Sequence, residues 1–215
     1  MTSTTSSAST RAYTHTKAAI LSGDLPGGTL VSEGDVATEL GLSRTPVREA
    51  FCRLEAEGWL RLYPKRGALV VPVAESERVE VLDARLLLEG FAAERLAAAP
   101  DAPDALAARQ EMRDLLAAQR EAWADDDLAA FAAADAAFHR TMLEHARNSA
   151  LLGFYTTLAE RQQRMTRGTV EARPESAALV LAQHEALVAD LEAGDVAAFR
   201  AHLREHFTSV FGPLS

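Results

Sequence analysis

The sequence has few of the features that mark secreted, disulfide-linked or membrane-spanning proteins. Its 215 residues contain one cysteine, Cys52, so no disulfide can form within the chain. No apolar stretch approaches the roughly 20 residues that a membrane-spanning helix needs. The polar N-terminus, MTSTTSSAST, lacks the apolar core of a secretion signal. These absences predict a protein of the reducing cytoplasm that has no contact with a membrane.

Positive charge is scarce over the whole chain but is concentrated near the N-terminus. The net charge is −9, yet residues 1–74 carry eight basic and seven acidic side chains. Within residues 43–66 six basic side chains face only three acidic ones. An acidic protein can still bind nucleic acid, because the local patch decides the contact. The remaining composition, 48% hydrophobic and 25% charged, is that of a globular protein.

The first third of the chain has the pattern of a winged helix-turn-helix. Apolar spacing predicts helices over 10–22, between Ser32 and Gly41, and over 43–57. Two β-prone runs, WLRLY and ALVVPV, flank PKRG and predict a hairpin with a basic turn. Two short helices joined by a tight turn and followed by a hairpin describe this DNA-binding motif.

The N-terminus of the third predicted helix is the expected DNA-reading surface. Arg44, Thr45 and Arg48 lie off the apolar face of this helix, in the stretch SRTPVREA. Arginine at this place can pair with guanine or hold a phosphate. Two surface arginines on a solvated helix end would be the simpler interpretation of the pair alone. The preceding helix and turn, and the wing with Lys65 and Arg66, favour DNA binding instead.

Residues 11–73 closely resemble the DNA-binding domain of GntR-type bacterial transcription regulators. The resemblance is carried by SEGDVATELGLSRTPVREAFCRLEAEGWL and by KRGALVV. It implies a homodimer that binds double-stranded operator DNA, with this helix in the major groove and the wing at the minor groove. The implied DNA-binding residues are Ser43, Arg44, Thr45, Arg48, Lys65, Arg66 and Gly67. Ser43 is also expected to cap the helix, and Gly34 stands where some relatives carry a phosphate-contacting arginine.

The rest of the chain predicts helices and no strand, so the fold class is mostly α, with the winged domain followed by an antiparallel helical bundle. The predicted helices span 76–98, 104–123, 127–146, 149–166, 175–193 and 195–211. The predicted organisation is a disordered tail over 1–10, a DNA-binding domain over 11–73, a linker over 74–78 and an effector-binding, dimerising domain over 79–215.

A carboxylate and three histidines in this second half are candidate metal ligands. Asp135 and His139 are four residues apart in ADAAFHRTML and therefore share one face of a helix. His184 and His206 lie on two later helices. One carboxylate and three imidazoles can bind a first-row divalent metal and leave coordination positions open. On spacing alone, a surface pair or a core histidine explains such a pattern more often than a metal does.

Residues 79–211 resemble the all-helical effector-binding domain of the FadR branch of GntR regulators, and six helices suggest its shorter, VanR-like version. The pattern DxxFH at 135–139, Asn148, His184 and His206 match the metal site of that domain. The resemblance implies a divalent ion, with zinc or nickel favoured by the three histidines. It also implies a small carboxylate effector that completes the coordination.

Arg85, in ARLLLEG, stands where relatives of this domain carry an arginine. An inward arginine could pair with the carboxylate of an effector. A salt bridge to Glu89, four residues on, is an equally good interpretation.

Together these features predict a ligand-responsive transcription regulator, with a repressor favoured over an activator. One alternative is a metal-dependent hydrolase that uses the same Asp135, His139, His184 and His206. No motif marks a separate general base, and a DNA-reading domain on a hydrolase would need its own explanation. Another alternative is a DNA-binding protein whose metal is purely structural.

Overall fold

The structure, a computed structural model, describes residues 7–214. It divides into two compact units, with the boundary in the sequence between Val73 and Ala74. The first unit contains α1 (Ala8–Ser22), β1 (Leu30–Val31), α2 (Glu33–Leu40), α3 (Arg44–Ala56), β2 (Leu60–Tyr63) and β3 (Gly67–Val70). Within the described residues, the second unit contains α4 (Glu75–Ala97), α5 (Pro103–Ala124), α6 (Leu128–His145), α7 (Ser149–Ala172), α8 (Ser176–Ala193) and α9 (Val196–Phe211). The predicted fold class, mostly helical with a winged N-terminal unit, is confirmed.

The turn between α2 and α3 gives the first unit its helix-turn-helix. Gly41 ends α2 with a left-handed backbone, at φ 63°, which glycine adopts without steric cost. Helix α3 follows after only two further residues. It buries one apolar face, made of Val47, Ala50, Phe51 and Leu54, each at most 1% exposed. The opposite face of α3 is therefore held towards solvent.

The wing is a three-stranded antiparallel sheet in the order β1-β3-β2. The β2–β3 hairpin agrees with the prediction, and Tyr63 pairs with Gly67 at its end. The short strand β1 was not predicted, because two residues are too few to show an alternating pattern. Gly67 has a φ of 91°, and a Cβ there would lie 2.4 Å from the carbonyl oxygen of Val31. Only glycine therefore lets β1 and β3 approach at this point.

Two predicted boundaries are wrong. The predicted disordered tail extended to residue 10, but α1 begins at Ala8 because the Ser7 side chain accepts a hydrogen bond from the Thr10 N–H. Residues 1–6 of that tail lie outside the described residues. The predicted linker at 74–78 is also mostly helical, since α4 begins at Glu75. Acidic residues in its first turn suit the positive end of the helix, and Arg78 pairs with Glu75.

The second unit is the predicted bundle of six helices within the described residues. Consecutive helices pack closely, α5 on α6, α6 on α7 and α8 on α9. The largest difference from prediction is α7, which continues to Ala172 instead of ending near residue 166. Buried residues on that extension, such as Val170, keep it on the core. Between residues 7 and 214, no helix combines the length and the apolar character needed to cross a membrane.

Candidate nucleic-acid interface and metal centre

The N-terminus of α3 presents the predicted DNA-reading side chains to solvent. Arg44 is the first residue of the helix, and Arg44, Thr45 and Arg48 are all exposed. Ser43 occupies the N-cap position, but its side chain makes no capping hydrogen bond, so the predicted cap is wrong. Such a cap uses the N–H of the second or the third helical residue, and the third is Pro46, which has none. Ser43 is exposed to solvent.

A basic groove of about 610 Å³ lies between α3 and the wing. It is lined by Ser32, Glu33, Gly34, Arg44, Arg48, Glu55, Leu62, Tyr63, Pro64, Lys65, Arg66 and Gly67. The structure thus brings five of the seven predicted DNA-binding residues to one concave surface, while Ser43 and Thr45 are exposed outside its lining. Lys65 has a φ of 62°, which turns the chain sharply at the wing tip.

Gly34 leaves room for the side chain of Arg44. A Cβ at residue 34 would lie 3.2 Å from Arg44 Nη2 and 3.7 Å from Arg44 Cζ. The first of these distances is shorter than an ordinary van der Waals contact, so Arg44 would have to move. The glycine at which this chain departs from some relatives is therefore the position against which Arg44 lies.

The four predicted metal ligands meet in the core of the second unit. Asp135 and His139 come from α6, His184 from α8 and His206 from α9, and each side chain is at most 1% exposed. Each residue can offer one ligand atom such that these atoms all lie within 4.8 Å of one another. This clustering is what a single ion bound by one carboxylate and three imidazoles requires.

Each of the three histidines is oriented by an acceptor on its Nδ1 atom. His139 Nδ1 lies 2.7 Å from Glu89 Oε2. His184 and His206 Nδ1 lie 2.9 Å from the Oε1 atoms of Gln119 and Gln183, respectively. An oxygen of this kind accepts, so Nδ1 donates and the lone pair is on Nε2. Histidines that bind a metal through one ring nitrogen typically donate a hydrogen bond from the other.

The three Nε2 atoms are buried and have no hydrogen-bond partner among residues 7–214. A buried polar atom without a partner is costly, so three of them side by side need an explanation. Asp135 Oδ1 lies 3.5 Å from His184 Nε2. Its other oxygen, Oδ2, accepts from Gln162 Nε2 at 2.6 Å and from Thr166 Oγ1 at 2.9 Å. The residues present therefore fit a divalent ion held between Oδ1 and the three Nε2 atoms.

Burial keeps the three imidazoles in the form that binds metals. Burial lowers the pKa of His184 to about 4, despite the opposing charge of Asp135. The pKa values of His139 and His206 lie well below the ordinary value, first because of burial and then because of neighbouring positive groups such as Arg85. All three side chains are therefore neutral at neutral pH.

Arg85 lies fully buried beside this cluster. It forms the predicted salt bridge to Glu89 and keeps donors that could bind an effector carboxylate. Its Nε donates to Glu89 Oε1 at 2.8 Å, and its guanidinium lies 4.2 Å above the ring of Phe207. Among the described residues, Nη1 and Nη2 have no hydrogen-bond partner. Burial by itself lowers the pKa of Arg85, but the charge of Glu89 and other groups raises it, so the side chain stays charged. The ion pair forms, and two donor groups remain for another anion.

Sequence reasoning missed the residues that support the ligands. Glu89 was considered only as a partner of Arg85, and Gln119, Gln162 and Gln183 were not considered. Their contacts join residues 23 to 65 positions apart, so no local pattern reveals them. The side chain of Asn148, which matched the implied metal-site pattern, caps α7 by accepting from the Leu151 N–H.

The fold and the groove define a winged helix-turn-helix DNA-binding protein with a second, all-helical unit among the described residues. Residues 8–70 match the family model of bacterial regulatory proteins of the gntR family. Residues 80–209 match that of the FCD domain. The chain belongs to the GntR family and is a transcription regulator with an FCD domain. The hydrolase alternative is thereby excluded, since this family and the relatives below are regulators of transcription.

Two relatives agree with this assignment, and a solved structure shares the fold. The chain is 33% identical to an uncharacterised HTH-type regulator of Streptomyces ambofaciens, over 93% of this chain and 81% of that protein. It is 37% identical to a probable D-xylose utilisation operon repressor of Paenarthrobacter nicotinovorans, over 82% and 75% of the two chains. A putative GntR regulator from Rhodococcus sp. RHA1 superposes with a TM-score of 0.79 at 20% identity, over 98% and 100%. That likeness concerns the fold alone.

Proposed function

We propose that the protein is a metal-dependent repressor that releases or binds its operator in response to a small carboxylate. The relative from Paenarthrobacter is named as a probable repressor, which supports repression over activation. GntR-family regulators bind operator DNA, typically as dimers, and we extend this to a homodimer of this chain.

The proposed DNA contacts divide into base reading and phosphate binding. Arg44, Thr45 and Arg48 would enter the major groove with the leading turn of α3, where an arginine can pair with guanine. Lys65 and Arg66 would bind phosphates from the wing, with Gly67 beside them at the wing tip. Ser43 would contribute its uncapped hydroxyl to a phosphate.

One observation carries the metal proposal. Three buried Nε2 atoms converge without partners among the described residues, while each Nδ1 is held by an acceptor. Zinc and nickel suit a site of three imidazoles and one carboxylate. When bound, such an ion supplies a strong positive anchor for an anionic oxygen.

Arg85 favours a sensing role over a purely structural metal. A structural site would be complete with its four ligands and would need no further donors. Here two N–H-bearing atoms of a charged, buried guanidinium remain without partners among the described residues. A carboxylate that reached the metal and Arg85 together would satisfy them. To change DNA affinity tenfold, the effector must favour one state of the protein by about 1.4 kcal/mol.

The test is the double variant His184→Ala/His206→Ala in the full chain. It should retain the helical circular dichroism spectrum and operator binding, but lose its metal and every response to effector. The matched control is His145→Ala/His202→Ala, because these histidines are partly exposed and pair with Glu111 and Asp190 outside the cluster. The control should keep both metal and response. A full complement of metal in the first variant would refute the proposed site.

A further inference from the structure

We propose that Glu55 is a positioning residue for DNA binding, whose side chain fixes the wing relative to α3. The inference rests on the proposed DNA contacts and adds a residue that acts on the DNA through its neighbours. Its basis is a hydrogen bond between α3 and β2, together with the place of Glu55 in the basic groove.

Glu55 joins the two elements that carry the proposed DNA contacts. It follows Arg48 by seven residues, which is about two helical turns, so both side chains lie on one face of α3. From there, Glu55 Oε1 accepts a hydrogen bond from the backbone N–H of Leu62 in β2 at 2.7 Å. Lys65 and Arg66 follow Leu62 by three and four residues. The bond therefore lies between the arginine of α3 and the basic wing tip.

Packing holds the base of the wing more firmly than its tip. Along β2, Leu60 is 2% exposed, Leu62 is partly buried and Tyr63 is 38% exposed. Strand β2 is also an edge of the sheet, so N–H groups on its outer side meet no further strand. The Glu55 side chain accepts from such an N–H where burial ends. It therefore holds β2 at a point that the core no longer holds.

The other strand of the hairpin is held in a different way. Strand β3 pairs with β1 as well as with β2, and Ala68, which lies opposite Val31 in the first pairing, is fully buried. The wing tip is thus fixed on the β3 side by the sheet and on the β2 side by Glu55. Without the Glu55 side chain, the β2 side would vary in direction, and Lys65 and Arg66 would vary with it.

The charge of Glu55 is unfavourable for the groove in which it lies. The basic side chains that line this groove with it are Arg44, Arg48, Lys65 and Arg66. A negative charge at this place repels the phosphates of every DNA sequence. Water could also accept from an exposed backbone N–H, but a water molecule is not attached to α3. The hydrogen bond of Glu55 and its charge therefore have separate effects on DNA binding.

Two substitutions separate the hydrogen bond from the charge. Glu55→Gln removes the charge but keeps an oxygen that accepts from the Leu62 N–H, while Glu55→Ala removes both. The specific probe is the DNA duplex that the full-length wild-type protein enriches most strongly from a random-sequence library. The non-specific probe is the same duplex with its sequence shuffled. Both dissociation constants are measured by fluorescence anisotropy at one salt concentration.

Loss of the charge should act on both probes, whereas loss of the hydrogen bond should act on the specific probe alone. Both variants should bind the shuffled duplex more tightly than the wild type does. The ratio of the shuffled to the specific dissociation constant should stay within about twofold of the wild-type ratio in Glu55→Gln. In Glu55→Ala this ratio should fall at least about fivefold. A ratio that falls equally in both variants, or in neither, would overturn the inference.

Glu33 provides the matched control, since it lines the same groove from the first turn of α2. Glu33→Ala removes a charge from the groove but leaves the bond between α3 and β2 in place. Its ratio of dissociation constants should therefore stay within about twofold of the wild-type ratio. A fall as large as that of Glu55→Ala would assign the effect to the charge of the groove and overturn the role of the hydrogen bond.

A direct measurement of the hydrogen bond needs no DNA. Alanine suits an exposed helical position, so Glu55→Ala should keep the helical circular dichroism spectrum. In protein labelled with ¹⁵N-leucine, the Leu62 amide should exchange its hydrogen faster in Glu55→Ala than in the wild type and in Glu55→Gln. Equal exchange rates in all three proteins would also overturn the inference.

The results separate this inference from the proposed function. A library from which the wild-type protein enriches no sequence would reject the proposed DNA reading and the inference with it. An enriched duplex that Arg44→Ala binds more weakly, but for which both Glu55 variants keep the wild-type ratio, would leave the DNA reading intact and reject only the role of Glu55.

Discussion

The two units of this regulator use arginine in opposite ways. In the first unit Arg44 and Arg48 are exposed, and their positions are set by the leading turn of a helix. In the second unit Arg85 is fully buried and is held by Glu89 and the ring of Phe207. An exposed arginine is screened by water and can be removed at little cost to folding. A buried arginine depends on its partner, so stability and recognition are linked in the second unit and separable in the first.

Removal of Glu89 should therefore have the largest effect on stability. Glu89→Ala leaves the guanidinium of Arg85 buried without its counter-charge and removes the acceptors of Tyr155 and His139. We expect a loss of about 3–5 kcal/mol in the free energy of unfolding, measured by urea denaturation. Glu94→Ala, which breaks the half-exposed pair with Arg200, is the control and should cost at most about 1 kcal/mol. Similar losses in both variants would remove the distinction between buried and exposed arginines.

The buried histidines should make the metal-free protein sensitive to acid. The pKa of His184 is lowered from 6.5 to about 4 in the folded state, so the unfolded chain binds its proton first as the pH falls. Neutral, buried His184 therefore contributes fully to the free energy of unfolding above pH 6.5, and this contribution is lost as the pH falls from 6.5 to 4. It amounts to about 3 kcal/mol. Urea denaturation across this pH range should show that the free energy of unfolding decreases as the pH falls. His184→Gln should make this decrease smaller, and His202→Gln, at a partly exposed histidine, should not.

The sequence predicts the parts of this protein that depend on neighbours along the chain. Helical periodicity placed the six helices of the second unit, and the four-residue spacing of Asp135 and His139 placed both on one face. The acceptors that orient the histidines come from residues distant in sequence, so they became visible only in the structure. The prediction that Ser43 caps α3 was wrong for a local reason. It used the preference for serine at an N-cap without the proline three residues later.

The exposed arginines should affect DNA binding without affecting folding. Arg44→Ala and Arg48→Ala should each weaken operator binding by about 1–3 kcal/mol, measured by fluorescence anisotropy at constant salt. Lys65→Ala/Arg66→Ala should instead weaken binding to every sequence and reduce the salt dependence, as expected of phosphate contacts. The free energy of unfolding should stay within about 0.5 kcal/mol in all of them. Unchanged operator affinity in both arginine variants would exclude α3 as the reading helix.

The smallest expected effect comes from Gly34, which acts through Arg44. Alanine at the second residue of α2 is a better helix former than glycine, so Gly34→Ala should stabilise the unit by up to about 1 kcal/mol. Its Cβ would approach Arg44 Nη2 to 3.2 Å and displace the guanidinium. We expect operator affinity to fall by about 0.5–1 kcal/mol, because the exposed arginine can shift at little cost. In the Arg44→Ala background the same substitution should have no effect on binding. If Gly34→Ala weakens binding equally in both backgrounds, its action does not pass through Arg44, and the exposed arginine is positioned by α3 alone.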